Sequence, residues 1–202
     1  MSDFTILTVC TGNICRSPLA EQLLRAGLGS LSGVRVRSAG SGALVGEAMT
    51  EQAQALSRRF SGEGSDVHLA RQLSKEELRS ADLVLGATRE HRRAAVELLP
   101  RASRHTFTIR EFARLADALD EADLRELAAA PSDPGERLRL LVELAATKRG
   151  IAVPPEEPEN DDIIDPYLRS DEVYEESAAQ LVPAVQSIIS SAIRAVSGAS
   201  RE

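Results

Sequence analysis

VCTGNICRSPLAE, Val9 to Glu21, is the stretch on which the reading of this chain turns, and it holds both of its cysteines. The run Thr5, Ile6, Leu7, Thr8, Val9 reads as a short buried strand that ends at Cys10. A loop containing Gly12 follows, and Arg16-Ser17-Pro18 opens a helical pattern. Ser17 is the expected N-cap and Pro18 the first helical residue, with Leu19, Leu23, Leu24 and Leu28 recurring at helical spacing. A strand that runs through such a loop into a helix aims several backbone N–H groups at one spot, where the helix dipole adds to their field. The local pattern predicts an anion site.

Outward from this stretch, strands alternate with helices. Val34 to Arg37 alternates as an edge or half-buried strand, and Ser38 to Gly42 is a small-residue loop. A helix is expected over about 48–60, broken by Gly62, Gly64 and Ser65, with a short helical segment near 74–80. Ala81 to Ala87 reads as the third strand, Arg89 to Leu99 as a helix stopped by Pro100, and His105 to Ile109 as the fourth strand. Helical connections between strands imply parallel pairing, so the expected fold is α/β: an open four-stranded parallel sheet with helices on both faces and the phosphate-sized loop after strand 1. Ligands of such sheets sit at the carboxyl ends of the strands, where Cys10 lies. From 110 to about 150 a helical hairpin is expected around Ser132-Asp133-Pro134-Gly135, then an exposed acidic loop over Val153 to Asp162. Asp171 is expected to cap a long final helix that Pro183 kinks or divides.

The composition narrows the function classes. With 202 residues, 43% hydrophobic and 27% charged, the chain can bury a core as one domain, and 3% aromatic content makes that core aliphatic. A net charge of -7 disfavours nucleic acid and anionic membrane as partners. No leader-like or membrane-spanning stretch is read, so a cytoplasmic protein is expected. Two cysteines five positions apart make neither a disulfide framework nor a zinc site.

A nucleotide P-loop is excluded because G-x-x-x-x-G-K-[ST] is absent and the first lysine is Lys75. What is present is Cys-x5-Arg, from Cys10 to Arg16. Backbone dipoles, a helix N-terminus and a guanidinium all favour the thiolate and make Cys10 a nucleophile. Arg16 offers a planar fork for two phosphoryl oxygens, and Ser17 can donate a hydrogen bond to the sulfur.

These residues resemble the signature C-x-G-N-x-C-R-S-P of the low-molecular-weight protein tyrosine phosphatases, of bacterial type. Further matching pieces follow in order: Val36 to Gly42 (VRSAGSG), His68 to Leu73 (HLARQL), Ala81 to His91 (ADLVLGATREH) and Asp165-Pro166-Tyr167. The resemblance implies a single domain over 1–202 with a helical and acidic insertion at about 117–160. It implies hydrolysis of phosphotyrosine through a cysteinyl-phosphate, with no cofactor and no metal. Cys10 would be the nucleophile, and Arg16 with the loop Thr11, Gly12, Asn13, Ile14 and Cys15 would hold the phosphoryl group. Asp165 would be the acid, chosen over Asp133 because Asp133 sits in a turn sequence that serves itself. Tyr167 would form one wall of the ring slot. The family's aromatic on the other wall is missing, leaving Leu44 as its substitute. Cys15 is a candidate redox partner of Cys10, His68 a support of the loop, and His91 and His105 are read as surface or structural. The expected partner is a phosphotyrosine protein in bacterial signalling; oligomeric state is not readable. Alternatives on the same scaffold are an arsenate reductase using an external thiol and a protein-arginine phosphatase, the latter disfavoured by Ile14 where threonine is usual. A non-catalytic phosphate-binding module is the remaining reading.

Overall fold

Successive side chains of β1 (Phe4–Cys10) point to opposite faces of the sheet, so the strand feeds two cores at once. Phe4 and Ile6 enter the larger core, Leu7 and Val9 the smaller one. The computed structural model describes residues 3–61 and 67–198, so the break expected at Gly62, Gly64 and Ser65 lies outside the described residues. β2 (Val34–Gly40), β3 (Leu83–Gly86) and β4 (Thr106–Thr108) complete an all-parallel sheet in the order β2-β1-β3-β4. The larger core is covered by α1 (Arg16–Leu28), α2 (Glu51–Ser61) and later helices, the smaller by α3 (Lys75–Ser80) and α4 (Arg89–Leu98). This is the α/β layering expected from the sequence.

Several boundaries differ from the expectation, each for a local reason. β2 continues to Gly40, since its small residues pair with β1 as far as Cys10 opposite Gly40. A Cβ at Gly40 would stand 2.3 Å from the carbonyl of Thr11, so only glycine lets the loop pass. α1 begins at Arg16, not after Ser17, and Cys15 occupies the N-cap position without a side-chain cap, because the Ser17 hydroxyl is engaged elsewhere. β4 stops at Thr108, whose hydroxyl accepts from Glu111 N and closes a capping box, so Ile109 starts α5 (Ile109–Asp117) rather than ending a strand.

The expected helical hairpin is three helices. Asp120 accepts from the backbone of Ala122 and Asp123 and opens α6 (Glu121–Ala129), and Asp133 caps α7 (Pro134–Thr147). Asp133, which the sequence offers as a turn residue, thus serves as a helix cap. The last helix, α8 (Asp171–Ser197), starts from Ser170 and runs through Pro183 without division. Pro183 and Ala179, whose carbonyl loses its helical partner, are both exposed, so water can satisfy that oxygen. By length and composition α8 could cross a membrane, but here Leu181, Val185, Ile188 and Ala192 pack into the larger core.

The segment from 117 to 160 is held by specific contacts. Leu138, Leu141 and Val142 of α7 are buried in the larger core. Arg137 donates to the Val196 carbonyl at 2.8 Å, satisfying the end of α8, and to the Pro131 carbonyl at 2.9 Å. Arg149 lies 3.9 Å over the Phe107 ring and donates to Glu111. On this packing, Leu138→Ala is expected to cost about 2–5 kcal/mol and to lower a single unfolding transition. Separate melting of a small unit, with the main transition unmoved, would show that α7 is an independent appendage.

Candidate active site

The carboxyl end of β1 lies between β2 and β3, so the chain that leaves it has neighbours on both sides. The Cys10 carbonyl accepts from Ser41 N, the Thr11 carbonyl from Gly42 N and the Gly12 carbonyl from Leu44 N, so the loop of residues 41–44 is laced along it. Ala87 N donates to Val9 O on the other side. The turn from strand to helix needs one residue in the left-handed region, and Asn13 takes it at φ 57°, which asparagine tolerates better than most side chains.

Asn13 does not line the cleft. It is wholly buried, and its amide organises a relay: Nδ2 donates to Ser17 Oγ at 2.9 Å and to Ser38 Oγ at 2.8 Å, while Oδ1 accepts from Arg71 N at 2.9 Å. Ser38 Oγ in turn donates to Glu21, a buried carboxylate that Arg25 pairs at 2.6 Å. The Ser17 hydroxyl, which accepts from Asn13, lies 3.0 Å from Cys10 Sγ and 3.5 Å from the Ala39 carbonyl, and a thiolate at Cys10 would accept its hydrogen bond. His68 Nε2 donates to the Asn13 carbonyl at 2.7 Å, the loop support expected of it.

Arg16, at the first position of α1, is 4% exposed. One terminal nitrogen donates to the Ile163 carbonyl at 2.9 Å and the other meets Asp165 at 2.6 Å, while Nε is buried with no partner among the described residues. Asp165 keeps half of its surface, 51%, open to solvent. Ile163 is itself fixed, its N–H donating to Ala87 O at the end of β3, and Asp162 accepts from the first N–H of α4 while pairing Arg89. The acid loop is therefore pinned to the same sheet edge as the cysteine loop.

Cys10, Thr11, Gly12, Ile14, Arg16, Gly42, Leu44, Asp165 and Tyr167 line one cleft of about 140 Å³. The structure thus brings together the nucleophile, arginine, acid and both wall residues expected from the sequence. A second, more polar cleft of about 430 Å³ shares Thr11, Arg16 and Asp165 with it and is bordered by Glu90, Glu159 and Asp162. Among the described residues no three His, Cys, Asp or Glu side chains converge as a metal would require.

Cys15 is buried, its sulfur 3.5 Å from the Tyr174 hydroxyl of α8 and 3.6 Å from Thr50 Oγ1. Burial pushes its thiol up, and burial likewise pushes Tyr174 up to about 12. Glu21 and Tyr174 carried no signal that would have placed them behind the loop.

Of the two readings open for His91, surface or structural, the structure takes the structural one. It is not a surface residue: it is 5% exposed, with Nε2 2.9 Å from Thr11 Oγ1 and Nδ1 2.7 Å from Thr88 Oγ1. Its position in TREH, just after a strand end that adjoins the loop, was the available clue. Burial, with the Arg16 charge adding to it, lowers His91 from 6.5 to about 4.

A family model described as low molecular weight phosphotyrosine protein phosphatase matches residues 5–132, ending short of Asp165. A protein-arginine-phosphatase of Geobacillus stearothermophilus is 39% identical over 120 residues, which is 59% of this chain and 78% of that one. The low molecular weight protein-tyrosine-phosphatase Ptp of Acinetobacter johnsonii is 36% identical over 104 residues, 52% of this chain and 70% of its own. A solved low molecular weight protein tyrosine phosphatase from T. tengcongensis superposes with a TM-score of 0.64 at 28% identity, covering 93% of this chain and 99% of the other.

The depressed His91 has a measurable consequence. The unfolded chain takes up a proton near pH 6.5 that folded His91 refuses until about pH 4, so stability present above pH 6.5 is lost as pH falls through this window. His68 and His105, also lowered by burial, act in the same direction. In His91→Gln the urea midpoint should fall less steeply between those pH values than in the parent; equal slopes would exclude His91 as a contributor.

Proposed function

Because the chain belongs to the low molecular weight phosphotyrosine protein phosphatase family, we propose that it hydrolyses phosphotyrosine in proteins, with Cys10 as nucleophile, Arg16 as phosphoryl clamp and Asp165 as acid and base. The observation that carries the reading is the placement of Arg16. Its buried guanidinium borders the cleft with Cys10, reaches the acid loop through Ile163 and Asp165, and keeps one N–H without a partner among the described residues. A dianionic phosphoryl group supplies acceptors for that fork.

In the first step the Cys10 thiolate attacks phosphorus in line, an S–P bond forms as the P–O bond breaks, and Asp165 gives its proton to the departing tyrosine oxygen. Arg16 and the loop N–H groups hold the three phosphoryl oxygens. In the second step water attacks phosphorus, the Asp165 carboxylate takes the water's proton, and the S–P bond breaks to release phosphate and the Cys10 thiolate. Ser17, oriented by Asn13, stabilises the sulfur each time it carries charge.

The side walls favour an aryl group. Ile14, Leu44 and Tyr167 offer a slot for a ring, whereas a phosphoguanidine brings several N–H donors that need acceptors, and among these lining side chains Asp165 is the one carboxylate. Phosphoarginine is the second reading, favoured by the 39% identity to a protein-arginine-phosphatase. A parallel assay on phosphotyrosine peptide, phosphoarginine protein and arsenate plus thiol separates the three chemistries. The expected result is highest kcat/KM on phosphotyrosine; a clear preference for phosphoarginine would reverse the assignment.

Cys10→Ser should lose at least roughly 10³-fold in kcat. Asp165→Asn should lose about 10²-fold on phenyl phosphate, and less on p-nitrophenyl phosphate, whose leaving group needs little protonation. Equal losses on both esters would remove Asp165 from the role of acid.

A further inference from the structure

Leu168 stands out for two independent reasons. It follows the acid loop's Asp165-Pro166-Tyr167 and is held at φ 59°, a left-handed conformation that residues other than glycine, asparagine and aspartate seldom adopt. Its side chain is also 82% exposed, so nothing in the fold gains from an apolar group there. The turn that holds it is closed by Tyr167 N donating to Asp165 Oδ1 at 3.2 Å and Arg169 N donating to Pro166 O at 3.0 Å. A strained backbone carrying an unburied leucine, beside a reacting group, is a feature whose use lies outside the folded chain.

A second exposed apolar residue occupies the matching place in the loop that supplies the other wall. Val45 is 68% exposed and follows Leu44, as Leu168 follows Tyr167. Leu44 N is bonded to Gly12 O, and Glu47 N returns to Leu44 O, so the Leu44–Val45 tip is fixed against the cysteine loop. The neighbouring segment is paired to the same tip through Gly46 N to Ala70 O and Ala70 N to Glu47 O, and it presents Leu69 to solvent as well. Each wall residue of the slot is therefore followed directly along the chain by an exposed apolar side chain.

Resting on the phosphatase reading above, we propose that Leu168 and Val45 are specificity residues: an apolar jaw that takes the side chains immediately flanking the phosphorylated residue of a polypeptide substrate and prefers apolar ones. The occupant follows from continuity with the cleft. When the phosphoryl group sits at Cys10 and Arg16, and the ring lies between Leu44 and Tyr167, the peptide backbone on either side of that residue has to pass over the rim where Leu168 and Val45 stand. Apolar flanks there lose water against apolar rim atoms, while charged or polar flanks give up hydration with no partner. A small aryl phosphate, with no flanks, never reaches the jaw.

The test compares kcat/KM on p-nitrophenyl phosphate and on two phosphotyrosine peptides that differ only in having leucine and valine, or serine and glutamine, as nearest neighbours. The parent should prefer the apolar-flanked peptide by roughly tenfold, the scale of a few methylene groups in an apolar contact. Leu168→Gly removes the side chain and relieves the strained backbone, and Leu168→Asn keeps the left-handed conformation and the bulk while removing the apolar surface. Both should reduce the preference to about threefold or less, with p-nitrophenyl phosphate turnover within about twofold of the parent and no loss of Tm; Val45→Ser should act in the same direction. A parent without preference, a preference that survives Leu168→Asn, or equal losses on all three substrates would overturn the jaw. Absence of any Cys10-dependent hydrolysis in the parent would instead overturn the phosphatase reading, so the two failures are distinguishable.

Discussion

The contact on which the site depends is made by the Arg16 guanidinium with the segment that follows the acidic loop. Arg16 and Ile163 are 147 positions apart, and one hydrogen bond with one ion pair joins the loop after β1 to the only stretch carrying Asp165. Arginine suits this place because its charge is fixed and its donors are spread over a rigid plane, so it can bind a carbonyl and a carboxylate and still offer an N–H to a third group. It is almost fully buried in a protein of net charge -7. An anion entering the cleft meets a cation that the surrounding acidic surface does not reveal.

Behind the cleft, the loop owes its shape to a neutral amide and a buried acid rather than to the residues that face the substrate. Asn13 bends the chain through its left-handed φ and spends its side chain on Ser17, Ser38 and Arg71 N, and Glu21 anchors the far end of that relay against Arg25. The consequence reaches the sulfur through the Ser17 hydroxyl. Removing one member would leave buried polar groups unmatched along the whole line, which is why such relays hold one geometry.

The helices after β4 do more than lengthen the connection. α7 adds its own apolar face to the larger core, Arg137 completes the end of α8, and Arg114 holds Asp161 and Val153 of the acidic loop. Through Asp162, Arg89 and Ile163 that loop is tied to the ends of β3 and α4. The position of Asp165 is thus set partly by a segment that lies outside the cleft lined by Cys10 and Arg16.

Residues 9 to 21 determined much of this by themselves, because strand, loop and helix signals there are local and the spacing of Cys10 to Arg16 is fixed by one turn of chain. The alternation of strands and helices likewise specified a parallel sheet, since parallel neighbours need crossovers. Other features waited for the tertiary structure. Whether His91 is a surface or a structural residue is decided when the sheet brings Thr11 to it, and Glu21 gains its place behind the loop when Ser38 arrives from β2. The starts of α5 and α6 hung on whether Thr108 and Asp120 spend their oxygens on caps, a choice made by where the chain next has to pack. The motif Asp165-Pro166-Tyr167 placed Asp165 in one site with Arg16, but their direct ion pair, and the exposure of a leucine in a left-handed turn beside it, follow from contacts across the fold.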